Sequence, residues 1–347
     1  IARHIARLCA AARLCDDPER ERLVQRRIAS LVPLLDASKL DWSEFVDDFH
    51  DRHLAKAAIL KPWVGANEKG VVFISFEREW VKLLNQPRFQ EFAERYTLVL
   101  SPSSSPHNLV NYVFAGVYPD PIFTLISNPH DQDVLPGVSS KLIVVPLYAS
   151  HWVNPELFTP TPRANRPYDL IMVASWGKVK RHHVLFKALR SLPRELRVLL
   201  VGQDQEGRTA ETIRALAASY GVADRVTILS NQPYREVTKL FAQAKASVVL
   251  SKREGSCVVV AESLFADTPV AVLRGAELGS RVFLNEQTGR LLDEASLPHD
   301  LAAFLGEAGR YQPRAWAEAN ISCWHSTRTL NELLRKHALE MGQRWTL

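Results

Sequence analysis

The chain has 347 residues, 46% of them hydrophobic and 23% charged, which suits a globular protein too long for one ordinary core. No apolar run approaches the roughly 18 residues of a membrane span, and four cysteines without a CxxC pair argue against a disulfide framework or zinc site. The net charge of +5 suits an anionic ligand or surface, while no arginine-aromatic pattern of a nucleic-acid module is present.

The chain opens on Ile1 with no signal-peptide pattern, which reads as a fragment or a processed form in a reducing cytoplasm. Residues 1 to 57 read as helical. Ile1, Ile5, Leu8 and Ala12 share one face, as do Val24, Ile28, Leu31 and Leu35. The opposite faces carry Arg3, Arg7, Arg13, Arg20, Arg22, Arg26 and Arg27. Interleaved Asp16, Asp17, Glu19 and Glu21 favour a solvated face over a membrane-binding one. Peripheral contact with an inner membrane face is the second expectation. Asp47, Asp48, His50, Asp51 and His53 are metal-ligand types, but on a helix they read as a polar face.

From residue 70 short apolar runs alternate with helical stretches. Strands are expected at 71–76, 96–101, 121–127 and 141–147, making an α/β domain over 1–153. A proline-rich segment, 154–167, reads as a linker. A second series follows over 168–325, with strands at 168–175, 196–202, 225–230, 246–251 and 269–274. Its helices are expected at 182–191, 207–220, 234–244 and 257–266. Residues 326–347 form a last helix, expected to pack toward the N-terminal domain. Open α/β sheets bind ligands at the carboxyl ends of their strands, so the chemistry is sought there.

One such end carries "SKREGSCVVVAESLFADTPVAVLRG", residues 251 to 275. A helix beginning near Ser256 or Cys257 leaves the amides of Gly255, Ser256, Cys257 and Val258 unpaired, which favours phosphate. Glu254 and Glu262 then stand up to roughly 12 Å apart along the axis, the reach from sugar to ribose across a nucleotide-sugar diphosphate. That is wider than a glycosidase carboxylate pair. On spacing alone, two ordinary carboxylates, Glu254 at a helix start and Glu262 on the surface, are the favoured explanation of the pattern.

Residues 141–325 resemble the nucleotide-binding half of GT-B glycosyltransferases, particularly retaining family 4 with its Glu-x7-Glu motif. The pieces come in the family's order: "VNPELFTP", "VKRHHVLFKAL", "LLVG", "ILSNQPYREVTKLFAQAKASVVLS", Glu254-Gly255, Glu262-Ser263, Asp267-Thr268-Pro269-Val270 and "NEQTGRLLD". The resemblance implies a GT-B fold, two doubly wound Rossmann-like domains facing across a cleft, here with extra N-terminal helices. It implies Glu254 on the transferred sugar, Glu262 on the ribose and Lys180 on the diphosphate. Gly202 and Gln203 would lie near the nucleotide, and Asn231 to Tyr234 near the base.

The family arginine five residues before the lysine is Ser175 here, and Lys178 is the preferred second cation. Ser256-Cys257 replaces an aromatic-glycine pair, and Asp267 replaces a glycine. The acceptor-side histidine has two candidates, His130 ahead of His107. Asp131-Gln132-Asp133 resembles the metal signature of the other large glycosyltransferase fold, but two α/β domains argue against that fold.

The expectation is a retaining glycosyltransferase that moves a sugar from a nucleoside diphosphate-sugar to a glycan, lipid or protein. It needs no cofactor and no metal, because lysine and helix-end amides replace one. The alternatives are a GT-B-like protein that binds sugar nucleotide or a partner without transfer and, third, a nucleotide-sugar epimerase.

Overall fold

The computed structural model describes all residues except Asp16, 47–52, Ser104 and Leu347. The acidic and histidine cluster expected near residue 50 therefore lies, His53 apart, outside the described residues. The chain divides into two compact units, Ile1–Tyr148 with Arg328–Leu347, and Ala149–Thr327.

The first unit opens with helices α1 (Ala2–Arg13) and α2 (Pro18–Leu31). Asp17 caps α2 by accepting the Glu19 amide at 2.9 Å, with Pro18 at the first turn. Ile5, Cys9, Ala12, Ile28 and Leu31 are buried, and all seven N-terminal arginines are exposed. Helix does not continue to residue 57, because Pro33 and two aspartates that bond their own backbone break it into short 3₁₀ turns. Asp36 accepts from the Ser38 amide and Asp41 from the Ser43 amide.

Five strands follow: β1 (Ala57–Lys61), β2 (Gly70–Ser75), β3 (Tyr96–Ser101), β4 (Ile122–Leu125) and β5 (Leu142–Val145). They lie side by side in chain order, parallel except for β1, which runs antiparallel to β2 at the edge. Helices α3 (Glu77–Leu84), α4 (Phe89–Arg95), α5 (Leu109–Val117) and α6 (Asp131–Val138) connect them. The apolar runs are strands because both faces of the sheet are covered; β4 is buried throughout.

The second unit holds β6 (Tyr168–Val173), α7 (His182–Leu189), β7 (Val198–Gly202), α8 (Ala210–Ser219), β8 (Val226–Ser230), α9 (Tyr234–Phe241), β9 (Ala244–Val249), α10 (Val259–Phe265), β10 (Val270–Leu273) and β11 (Gly289–Leu292). Helices α11 (Leu297–Glu307), α12 (Pro313–Asn320) and α13 (Cys323–Glu340) complete the chain. The sheet is wholly parallel, in the order β11-β10-β9-β6-β7-β8. Counted from its own first strand this reads 3-2-1-4-5-6, the doubly wound dinucleotide-binding order. The winding reverses between β6 and β9.

Residues 154–167 are fastened to the second unit by two arginines. Arg163 donates to the carbonyls of Ala308 and Tyr311, and the buried Arg166 to those of Ala244 and Asp267. At the other end, residues 328–347 belong to the first unit, where the Arg344 amide donates to the Asn67 carbonyl at 2.8 Å. Among the described residues, no helix is long and apolar enough to cross a membrane.

Candidate functional site

The strand order singles out the carboxyl ends of β6 and β9, where adjacent loops must part in opposite directions. After β6 the chain turns through Ser175, Trp176, Gly177 and Lys178 to Lys180, and Arg181, at φ 59°, starts α7. After β9 it passes through Glu254 to Val258 before α10. The two loops meet: Lys180 Nζ lies 2.7 Å from Glu254 Oε1, with both side chains largely buried. The neighbouring cations are paired elsewhere. Arg181 and Lys252 both contact Glu294, and Arg253 Nε contacts Glu277 at 2.6 Å.

Helix α10 starts at Val259, later than expected, because Cys257 sits in the left-handed region at φ 55°. The loop before it is held by the 276–280 segment. Glu254 donates its amide to the Glu277 carbonyl at 2.9 Å, and Gly279 and Ser280 donate theirs to Gly255 and Ser256. The amides of Gly255, Ser256, Cys257 and Val258 have no hydrogen-bond acceptor among the described residues. Four successive free donors beside a lysine are the kind of groups that hold an anion. The Ser256 hydroxyl is committed inward, accepting the Ser150 amide and donating to Ser150 Oγ, both at 2.8 Å. No sequence signal pointed to Ser150.

Glu262, one turn into α10, is buried, and burial raises its pKa. The Tyr234 hydroxyl, at the start of α9, is the hydrogen-bonding partner that opposes the rise. Burial pushes the Tyr234 phenol up as well, although half of that side chain is exposed. The Cys257 thiol is likewise driven well above its ordinary range, by burial first and then by Glu254. It is therefore a packed thiol, not a nucleophile.

On the β7 side, Gly202 is required for space. A Cβ there would stand 2.3 Å from the Ala174 carbonyl oxygen and 2.7 Å from the Trp176 ring. The Gly202 carbonyl accepts the amide of Asn231, itself at φ 55°, at 2.7 Å, and the Gln203 carbonyl accepts that of Trp176 at 2.9 Å. Ser175 bonds Gln205 through their side chains, and Lys178 is exposed, its amide 3.3 Å from Glu206 Oε2.

His182, the first residue of α7, was not anticipated. It is buried against Trp176, and neither ring nitrogen has a partner among the described residues. Burial, aided by Arg208, His183 and Lys180, lowers its pKa to about 4.

The two candidate histidines lie in the first unit and share one carboxylate. His130 Nε2 is 2.7 Å from Glu21 Oε2, and His107 Nε2 is 2.8 Å from Glu21 Oε1. Because the carboxylate only accepts, His107 donates from Nε2 and accepts the Tyr112 hydroxyl at Nδ1, 3.1 Å away. His107 is buried, while His130 is half exposed. Asp131 turns inward, accepting the Ser127 and Asn128 amides, and burial raises its pKa to about 6. It is not presented as half of a metal-binding pair.

Comparison with known proteins bears on the second unit. Residues 153–308 match the family of glycosyl transferases group 1. The D-inositol 3-phosphate glycosyltransferase of Acidothermus cellulolyticus is 33% identical over 116 residues, 33% of this chain and 25% of that protein. Its counterpart in Xylanimonas cellulosilytica is 31% identical over 159 residues, 43% of this chain and 37% of that protein. The chain thus matches about a quarter to 37% of the length of these curated relatives. Sucrose-phosphate synthase from Thermosynechococcus elongatus is similar in fold, with a TM-score of 0.61 and 18% identity over 77% of this chain and 73% of that chain. So is HepE of Anabaena, solved with UDP-glucose, with a TM-score of 0.59 and 14% identity over 76% of this chain and 78% of that chain. Residues 153–308 are therefore similar to the group 1 glycosyl transferases, and the chain has the GT-B fold.

Proposed function

We propose that this protein transfers a sugar from a nucleoside diphosphate donor to a glycan, lipid or protein acceptor, with retention of configuration. The observation that carries the reading is the meeting of Lys180 and Glu254 beside four unpaired amides where the sheet order reverses. Diphosphate on the amides of Gly255 to Val258 would be neutralised further by Lys180 as the leaving group gains charge. Glu254 would accept hydroxyl hydrogen bonds from the sugar and Glu262 from the ribose. Gly202, Gln203 and Asn231 would border the nucleotide, with Lys178 as a second cation in place of the arginine that Ser175 lacks.

In this scheme the departing diphosphate and the incoming hydroxyl share one face of the sugar, so no protein nucleophile is needed. No metal is needed either, because a lysine and backbone amides carry the anion. His130 is the acceptor-side group, and the basic N-terminal helices favour an anionic acceptor or a cytoplasmic membrane face.

Incubation with a panel of nucleotide-sugars and acceptors tests the proposal. Lys180→Ala and Glu254→Ala should each abolish transfer while leaving the circular dichroism spectrum unchanged. A fully active Lys180→Ala enzyme would refute the diphosphate role.

A further inference from the structure

Under the donor-site reading, on which this inference rests, Lys180 serves the diphosphate and Glu254 the sugar. In the structure the two side chains serve each other, Nζ to Oε1 at 2.7 Å. We infer that this ion pair makes the site discriminate a sugar-bearing donor from the bare nucleoside diphosphate left after transfer.

The reasoning is one of exchange. A diphosphate reaching Lys180 must share or displace the Glu254 carboxylate. A donor with its sugar replaces what Glu254 loses, because sugar hydroxyls donate to the freed oxygens. A bare nucleoside diphosphate offers no donors there. It leaves a carboxylate that is 15% exposed facing phosphate charge, or it competes with that carboxylate for one ammonium group.

The other nearby cations relieve this little: Lys178, the proposed second cation, is exposed and screened by solvent, and the rest are committed. Arg181 holds Glu294 and the Leu250 carbonyl, Lys252 lies 3.5 Å from Glu294, and Arg253 is on Glu277. Glu254 therefore contributes to binding when the sugar is present and opposes it when the sugar is gone. The pair re-forms as product leaves.

Titration calorimetry on the full chain tests this, using UDP, GDP and ADP and the glucose conjugate of each. In Glu254→Gln the responding nucleoside diphosphate should bind about 2- to 5-fold more tightly, the worth of a partly exposed ion pair. Its glucose conjugate should bind no more tightly than to the native protein, so the preference shifts toward product. Glu254→Ala carries the same expectation should the glutamine variant fold poorly. In a Lys180→Ala background the tightening should vanish. Nucleotide binding with unchanged or weaker affinity for the diphosphate in both Glu254 variants overturns this inference alone. No binding of any nucleotide to the native protein overturns it together with the donor-site reading.

Discussion

Lys180 and Glu254, 74 residues apart in sequence, stand 2.7 Å apart because the strands that carry them, β6 and β9, are neighbours where the winding reverses. The same pairing brings the Lys180 turn next to the free amides of Gly255 to Val258. Glu262 and Tyr234, one helix turn deeper, form the next polar contact.

That second contact gives a pH prediction. Burial raises the Glu262 pKa and the Tyr234 hydrogen bond opposes it, so Tyr234→Phe should raise it further. If the ionised carboxylate takes the ribose, nucleotide affinity in the variant should begin to fall at a higher pH than in the native protein as solutions are acidified. Titrations across pH 5 to 8 would show it; coincident profiles would remove Tyr234 from the site.

His182 predicts a stability profile. Its pKa is about 4 when folded, below the ordinary value of 6.5, so the unfolded chain binds the extra proton between those values. Its contribution is complete above about pH 6.5 and is lost as the pH falls toward 4, on the order of 3 kcal/mol in all. His182→Phe, packed on Trp176, should flatten that part of the urea-unfolding profile. An unchanged slope would assign the acid sensitivity to other groups.

Gly202→Ala should destabilise the second unit by about 1–3 kcal/mol, since the added methyl meets the Ala174 carbonyl and a fully buried tryptophan. Thermal unfolding measures it. A variant as stable as the native protein would show that the turn relaxes.

In the first unit, Glu21→Ala strips the acceptor from two histidines at once. The buried His107 then keeps an unpaired N–H, and a loss of about 1–3 kcal/mol in urea unfolding is expected. If His130 acts on the acceptor, as proposed, the variant should also lose transfer with donor binding unchanged.

Much of the fold was legible because buried parallel strands leave continuous apolar runs, and nine of the eleven strands among the described residues were read that way. β1 was missed because four of its five residues are exposed and it follows a helix-like stretch. β11 was missed because four residues opening on a glycine look like a turn; its Gly289 backs onto the Val270 carbonyl. The order of the site's motifs was readable, but their meeting was not, since Lys180 and Glu254 become partners only through strand order. The left-handed Cys257, the inward Ser256 and the buried His182 follow from tertiary packing, which no local pattern encodes.

The most direct test of the central claim is a melting-temperature panel with UDP, GDP, ADP and their sugar conjugates, with and without EDTA. It is run on the native protein and on a Lys180→Ala/Glu262→Ala double variant. The account predicts that one base raises the melting temperature of the native protein, by about 2.7 kcal/mol of added stability at a hundredfold excess over Kd. That rise should be insensitive to EDTA and absent from the double variant. No shift with any nucleotide, or an equal shift in the double variant, would contradict a donor site at the junction of β6 and β9.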